Sequence, residues 1–228
     1  MKSFKGIIKS TALFKAFIKY KTKKKHRKMN KEVNKNGIKA IGLISRKLES
    51  IGLSSTPFFG TLLGLIRNGR IIKHDDDIDL AVMIKDDKDW DSVCLAFRDL
   101  GYNLTYSYSL NAKTTEMTFF KKHLRIDVFG CDVSKDTVLL YTYISKPDFS
   151  YPNKYFNHCM EHKYHIAWAI KEVFLGGERI NMLDLDESKI LLKQMYGDNW
   201  MVPDPSWKEQ ETQYETELQG VFGLLKIY

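Results

Sequence analysis

The chain has 228 residues, 43% of them hydrophobic, enough for one domain with a real core. Its net charge of +8 is uneven: residues 1–28 hold eleven Lys/Arg and no Asp/Glu, which leaves 25 basic against 28 acidic residues in the body and excludes a broad nucleic-acid groove there. The odd set Cys94, Cys131 and Cys159 excludes a disulfide framework, and no run approaches the roughly 18–20 apolar residues of a membrane span.

The first element is the arm, taken as residues 1–30. Phe4, Ile7, Ile8, Phe14, Phe17 and Ile18 recur at helical spacing among lysines, and Lys23-Lys24-Lys25-His26-Arg27-Lys28 follows. This pattern predicts a basic amphipathic helix able to lie on an anionic membrane surface, with peripheral contact through residues 1–28. Lys2 excludes N-myristoylation, which needs glycine there. No secretory pattern precedes the body, so a cytoplasmic location is expected, peripheral on the inner membrane face.

Residues 31–228 are read as the catalytic domain. Val33, Ile38, Ile41, Ile44, Leu48 and Ile51 predict an amphipathic helix over 31–52. Pro57-Phe58-Phe59 reads as a strand end, and Thr61 to Ile66 as a short helix stopped by Asn68-Gly69. Asp79 to Ile84 has a strand's composition, and Asp86 to Leu100 reads as a helix closed by Gly101, its early aspartates favourable at an N-terminus. Strands are expected at Leu104–Leu110, Glu116–Phe120, Leu124–Phe129 and Val138–Ile144, and a mostly helical part from residue 155. The fold class is α+β, a mixed sheet flanked by helices.

The chemistry concentrates in Asp75-Asp76-Asp77-Ile78-Asp79. Alternation sets Asp75, Asp77 and Asp79 on one side, with Ile78 and Leu80 toward the core. Carboxylates so close repel unless a cation sits among them, and oxygen-only ligands suit Mg2+ or Mn2+. A calcium-loop reading fails, because Leu80 stands where its glycine is needed and Asp86 where its glutamate is needed. Asp127 lies in a second apolar strand, opposite Ile126 and Val128, and supplies a further carboxylate. Gly60-Thr61-Leu62-Leu63-Gly64 joins a strand end to a helix start, where backbone N–H groups can face phosphate. A Gly-Thr turn, Asp-x-Asp and a later strand aspartate together form the general arrangement of the nucleotidyltransferase fold. His158, His162 and His165 fall at helical spacing with Glu161 nearby, but without HExxH or paired cysteines a partly exposed helix is expected there rather than a zinc face.

Phe59-Gly60-Thr61-Leu62-Leu63-Gly64-Leu65-Ile66-Arg67 followed by Asp75-Asp76-Asp77-Ile78-Asp79 resembles the LicD/fukutin family. Leu191 to Trp200, with Tyr196-Gly197-Asp198 and then Pro203, resembles its C-terminal signature. The chain departs where His74 replaces a tryptophan usual in the family, and where Asn181-Met182-Leu183-Asp184 replaces a proline-containing turn. The resemblance implies a nucleotidyltransferase-like fold and transfer of a phospho-alcohol from a CDP-linked donor to a sugar hydroxyl of a surface glycan or lipid-linked precursor, as in lipopolysaccharide or capsule synthesis, with release of CMP. Phosphocholine is the first expectation for the alcohol; ribitol or glycerol phosphate, and true nucleotidyl transfer from an NTP, are the alternatives. It further implies catalytic and metal roles for Asp77, Asp79 and Asp127, with Asp75 assisting at the metal. Gly60, Thr61, Arg67 and Lys73 would bind substrate. Choline would need an aromatic cage, for which Tyr106, Tyr108, Trp168 and Trp200 are available.

Overall fold

A computed structural model describes residues 12–143, 154–156, 159–204 and 212–228. Phe4, Ile7 and Ile8 of the arm lie outside the described residues, as does His158. Helix α1 spans Ala12–Ser50 without a break, so the passage from arm to body at residue 30 falls inside a helix. From Met29 onward one side is covered: Met29, Val33, Ala40, Ile41, Ile44 and Leu48 are buried, as expected for Val33, Ile41, Ile44 and Leu48, whereas Ile38 is half-buried and Ile51, past the helix end, is exposed. Full burial of Ile41, Ile44 and Leu48 contributes about 2 kcal/mol each. Residues 16–28 of the same helix are exposed, including Phe17, Ile18 and Tyr20.

After α1 come β1 (Ser55–Pro57), α2 (Phe59–Asn68), β2 (Ile78–Met83), α3 (Asp87–Asp99), β3 (Asn103–Leu110), β4 (Lys113–Lys121), β5 (Leu124–Val133) and β6 (Val138–Tyr143). These follow the expected segments closely. Gly69 takes a left-handed conformation as the α2 cap, and the Asp86 carboxylate caps α3 by accepting from the N–H groups of Lys88 and Asp89. That capping accounts for Asp86, and Asp87 and Asp89 lie in the first turn, where negative charge is favourable.

The part after residue 155 departs from expectation. It holds β7 (Lys154–Phe156), β8 (Cys159–Tyr164), β9 (Ile170–Leu175), β10 (Glu178–Leu183), a single helix α4 (Leu185–Tyr196), β11 (Glu215–Glu217) and β12 (Gly223–Ile227). The helical C-terminal part is therefore corrected to a largely stranded one. The cause is tertiary pairing: β8 joins β6 and β11, and β12 joins β3 and β7. Between β9 and β10, Gly176 and Gly177 both have positive φ, which a two-residue hairpin turn demands. His162 follows suit. It sits buried in a strand, not on a helix face, bonded to Thr142 and Tyr164 and 3.4 Å from Glu215. His165 lies beyond the strand and is exposed. No zinc face forms.

The large sheet runs β11-β8-β6-β5-β4-β3-β12-β7, with β2 added parallel to β5 and β1 antiparallel to β2. One face carries Ile78, Leu80, Val82, Ile126, Val128, Met117 and Phe119 into the core beneath α1 and α3. The fold is thus mixed α and β, a curled sheet with four helices among the described residues. The opposite face of β2, β4 and β5 carries the polar residues.

Candidate active site

Strand β2 brings the aspartates into place because Ile78 and Leu80 are fully buried, and this fixes the register of the residues between them. In the parallel β2–β5 pair, Asp79 lies opposite Asp127 and Ile78 opposite Ile126. Carboxylate oxygens of Asp77, Asp79 and Asp127 all come within 4.8 Å of one another. The set expected from the sequence is brought together, except that Asp75 stands beside the cluster, its carboxylate over Gly60.

The turn feeding this site is strained. Phe59 has φ 43°, in the left-handed region that bulky side chains avoid, at the start of α2. Its ring is held edge-on against Phe58, Phe129 and His162, and those contacts sustain the conformation. Two hydrogen bonds then tie the turn to β2: Phe58 N–H donates to Asp79 O, and Asp79 N–H donates to Thr61 Oγ1 at 2.9 Å. Thr61 is fully buried, so its side chain braces the backbone of Asp79. A Cβ on Gly60 would come 3.3 Å from the Asp75 carboxylate, and one on Gly64 would meet Arg70 O at 2.7 Å and Ile72 N at 2.8 Å. Glycine at 64 lets α2 pack against the loop that leads to the aspartates.

That loop is pinned from the other side by α1. Asn30 donates to the carbonyls of Lys73 and Asp75, Asn34 to that of Lys73, and His26 pairs with Asp76. Lys25 lies over the Phe120 ring. The Lys73 side chain is exposed, and what the structure uses is its carbonyl. Arg67 sits half-buried, bonded to Asn68 and to the carbonyl of Trp200, and near enough to Asp75 to favour its charged form.

Sequence reasoning missed Arg125. It shares a strand face with Asp127 by alternation, and it grips that carboxylate with two donors: Nε to Oδ1 at 3.1 Å and Nη2 to Oδ2 at 2.8 Å. Nη1 lies 3.5 Å from Asp77 Oδ2. Thr118, opposite Asp127 across the β4–β5 pair, donates to Oδ1 at 2.7 Å. Glu116 is the second omission. It is buried on the same face, opposite Phe129, and the alternation of β4 alone does not reveal its cross-strand neighbour.

Burial governs the electrostatics. It raises Asp75 and Asp127 to about 6, the latter despite the Arg125 guanidinium, and raises Asp77 against the same cation. Asp79 is pushed well above the carboxylate range by burial and then by the charges of Asp77 and Asp127. Glu116 moves the same way, by burial and then Asp127. The cluster is therefore short of positive charge, with one guanidinium against the carboxylates of Asp77, Asp79 and Asp127. A hard divalent ion fits that deficit and the all-oxygen donor set.

Comparison with known proteins bears on the same region. Residues 57–169 match the family model described as LicD/FKTN/FKRP, nucleotidyltransferase domain. An uncharacterised protein of Rickettsia prowazekii, RP689, is 33% identical over 98 residues, which is 42% of this chain and 33% of that protein. Human ribitol-5-phosphate transferase FKTN is 30% identical over 96 residues, 42% of this chain and 20% of that protein. The matches thus span a third or less of these relatives' own lengths. Among solved structures, that of ANT(2")-Ia in complex with adenylyl-2"-tobramycin aligns with a TM-score of 0.42 and 14% identity, covering 76% of this chain and 82% of that one. That likeness is too distant to bear on the site.

Proposed function

Since residues 57–169 place this chain in the LicD/FKTN/FKRP nucleotidyltransferase-domain family, we propose that it transfers a phospho-alcohol from a CDP-activated donor to a sugar hydroxyl and releases CMP. The observation carrying this reading is the convergence of Asp77, Asp79 and Asp127 beside the strained turn at Gly60. Asp77, Asp79 and Asp127 would hold Mg2+ or Mn2+, which when bound would neutralise charge on the transferring phosphoryl group and on the departing CMP. Gly60 offers backbone close to Asp75, where a phosphate can approach a helix N-terminus. Arg67, near Asp75, is the cation available for that phosphate. Thr61 acts through Asp79, by holding its backbone. Arg125 keeps Asp127 ionised and aimed at the cluster.

The test is to incubate the purified chain with CDP-choline, CDP-ribitol, CDP-glycerol and CTP, with Mn2+ or with EDTA, and follow CMP and pyrophosphate. Metal-dependent CMP release from one CDP-alcohol, absent in Asp79→Ala, is the expected result. Pyrophosphate release from CTP alone would replace this reading with nucleotidyl transfer.

We also propose that the acceptor is presented at an anionic membrane surface. Residues 16–28 expose seven Lys/Arg together with Phe17, Ile18 and Tyr20, on a helix with no acidic residue in that stretch. Each basic residue near such a surface contributes about 1 kcal/mol. No helix among the described residues is long and apolar enough to cross a membrane. Removing residues 1–28 should abolish sedimentation with phosphatidylserine-containing vesicles; unchanged sedimentation would rule the contact out.

A further inference from the structure

Glu116 stands apart from every role given so far. It is 7% exposed, on the face of β4 that also carries Thr118, and one diagonal step from Asp127 in the β4–β5 register. Among the described residues its carboxyl takes no hydrogen bond and no ion pair, although its charge is felt with those of Asp127 and Arg125. Nor is it sealed in: among the described residues, the wholly buried side-chain polar atom without a hydrogen bond is Nε of Arg179. A buried carboxyl left without partners costs about 1–3 kcal/mol, and native structures keep such groups where something else satisfies them.

Its surroundings are rich in hydroxyl groups. Tyr108 lies opposite Glu116 across the β3–β4 pair and is hydrogen-bonded to the Thr118 hydroxyl. Thr115, the extra residue of a bulge in β4, meets the Tyr143 hydroxyl at 2.5 Å. The rings of Tyr108 and Tyr143 stack at 5.5 Å and 16°, so each gives a face to the other and they do not form an open aromatic cage for a quaternary ammonium. Among the described residues, Glu116 also has no basic side chain bonded to it that could offer a phosphate a counter-charge. Hydroxyl groups of an uncharged carbon chain or ring are the chemistry that remains.

We infer that Glu116, supported by Tyr108 and Thr118, is a specificity-determining residue that binds a hydroxyl of the polyhydroxy group reacting at the adjacent carboxylate cluster. The inference rests on the proposed transfer reaction, and deepens it by naming the substrate class as a polyol or sugar. The hydroxyl has two possible sources, the transferred polyol of the donor or the acceptor sugar.

Calorimetric titration of the full chain with Mn2+ would use CDP-ribitol, CDP-choline, CMP and a methyl hexopyranoside, for wild type, Glu116→Gln and Glu116→Ala, with thermal midpoints checking that each variant folds. The expected result is at least tenfold weaker CDP-ribitol binding in Glu116→Ala, with CMP and CDP-choline within twofold; this assigns the hydroxyl to the donor. The same selective loss on the glycoside alone assigns it to the acceptor. Equal loss on all ligands, or no loss on either polyhydroxy probe, overturns the inference while leaving the transfer reaction standing. If wild type binds none of the CDP ligands, the transfer reading fails first and takes the assignment with it. Should Glu116→Ala not fold, Glu116→Gln and Tyr108→Phe carry the comparison, with the same selectivity required.

Discussion

Asp79 and Asp127 face each other across the only parallel strand pair among the described residues, and Arg125 holds the second of them through two donors. The cluster is thus built by pairing two strands distant in sequence, and each partner has a separate, measurable role.

Replacement of Asp79 by Asn should lower Mn2+ affinity by at least about 100-fold, since substituting even the residues that merely support metal ligands costs 10–100-fold. Manganese electron paramagnetic resonance titration reads this without any need for turnover. Undiminished affinity would move the metal away from Asp79.

Arg125→Met removes one partner of a buried charge pair and should destabilise the metal-free protein by about 3 kcal/mol. Urea unfolding in EDTA measures that loss. Saturating Mn2+ should recover part of it, because an ion among Asp77, Asp79 and Asp127 substitutes for the missing positive charge. A variant as stable as wild type would mean that the ion pair contributes little.

The pH dependence follows from the raised carboxylates. Burial raises Asp75 and Asp127 to about 6 in the folded protein, against a reference of 3.8, and moves Asp79 in the same direction. Between those values the folded state binds more protons than the unfolded state, so stability falls as pH rises. The metal-free thermal midpoint should therefore drop from about pH 4.5 to about pH 7. Mn2+ should raise it more at the upper pH, where the carboxylates are ionised. A metal-free midpoint that climbs over this range would contradict the burial argument.

Gly64→Ala places a methyl group into the backbone of residues 70–72 and should cost about 1–3 kcal/mol. Gly69→Ala is a different case, with open space around its Cβ but a left-handed φ of 62°. Chemical denaturation of both variants separates steric overlap from backbone strain: only the Gly64 change should also weaken Mn2+ binding, because it displaces the loop that carries the aspartates.

Much of the site could be read from the sequence because local pattern determines it. Asp77 and Asp79 sit in and beside a strand whose apolar residues fix their direction, and Asp127 repeats that logic. Arg125 was open to the same reasoning, being two residues from Asp127 and therefore on its face. Glu116, Asn30 and Asn34 were not. Glu116 acquires its neighbour only through antiparallel register, and the asparagines find their carbonyls across 43, 45 and 39 residues of sequence. The C-terminal strands escaped for another reason. Residues 159–164 alternate only weakly between apolar and polar, and their strand state is decided by β6, which lies on one side of them. Gly176-Gly177 was nevertheless a readable hairpin signal.

Helix α1 has a mechanical consequence. It is one rod of 39 residues, gripped at the aspartate loop by Asn30, Asn34 and His26 and exposed from Ala16 to Lys24, about 14 Å at 1.5 Å per residue. A rod without a joint transmits tilt. If the proposed membrane contact engages this exposed stretch, it would bear on the loop that carries the aspartates, and by reciprocity a ligand at the carboxylates would bear on that contact.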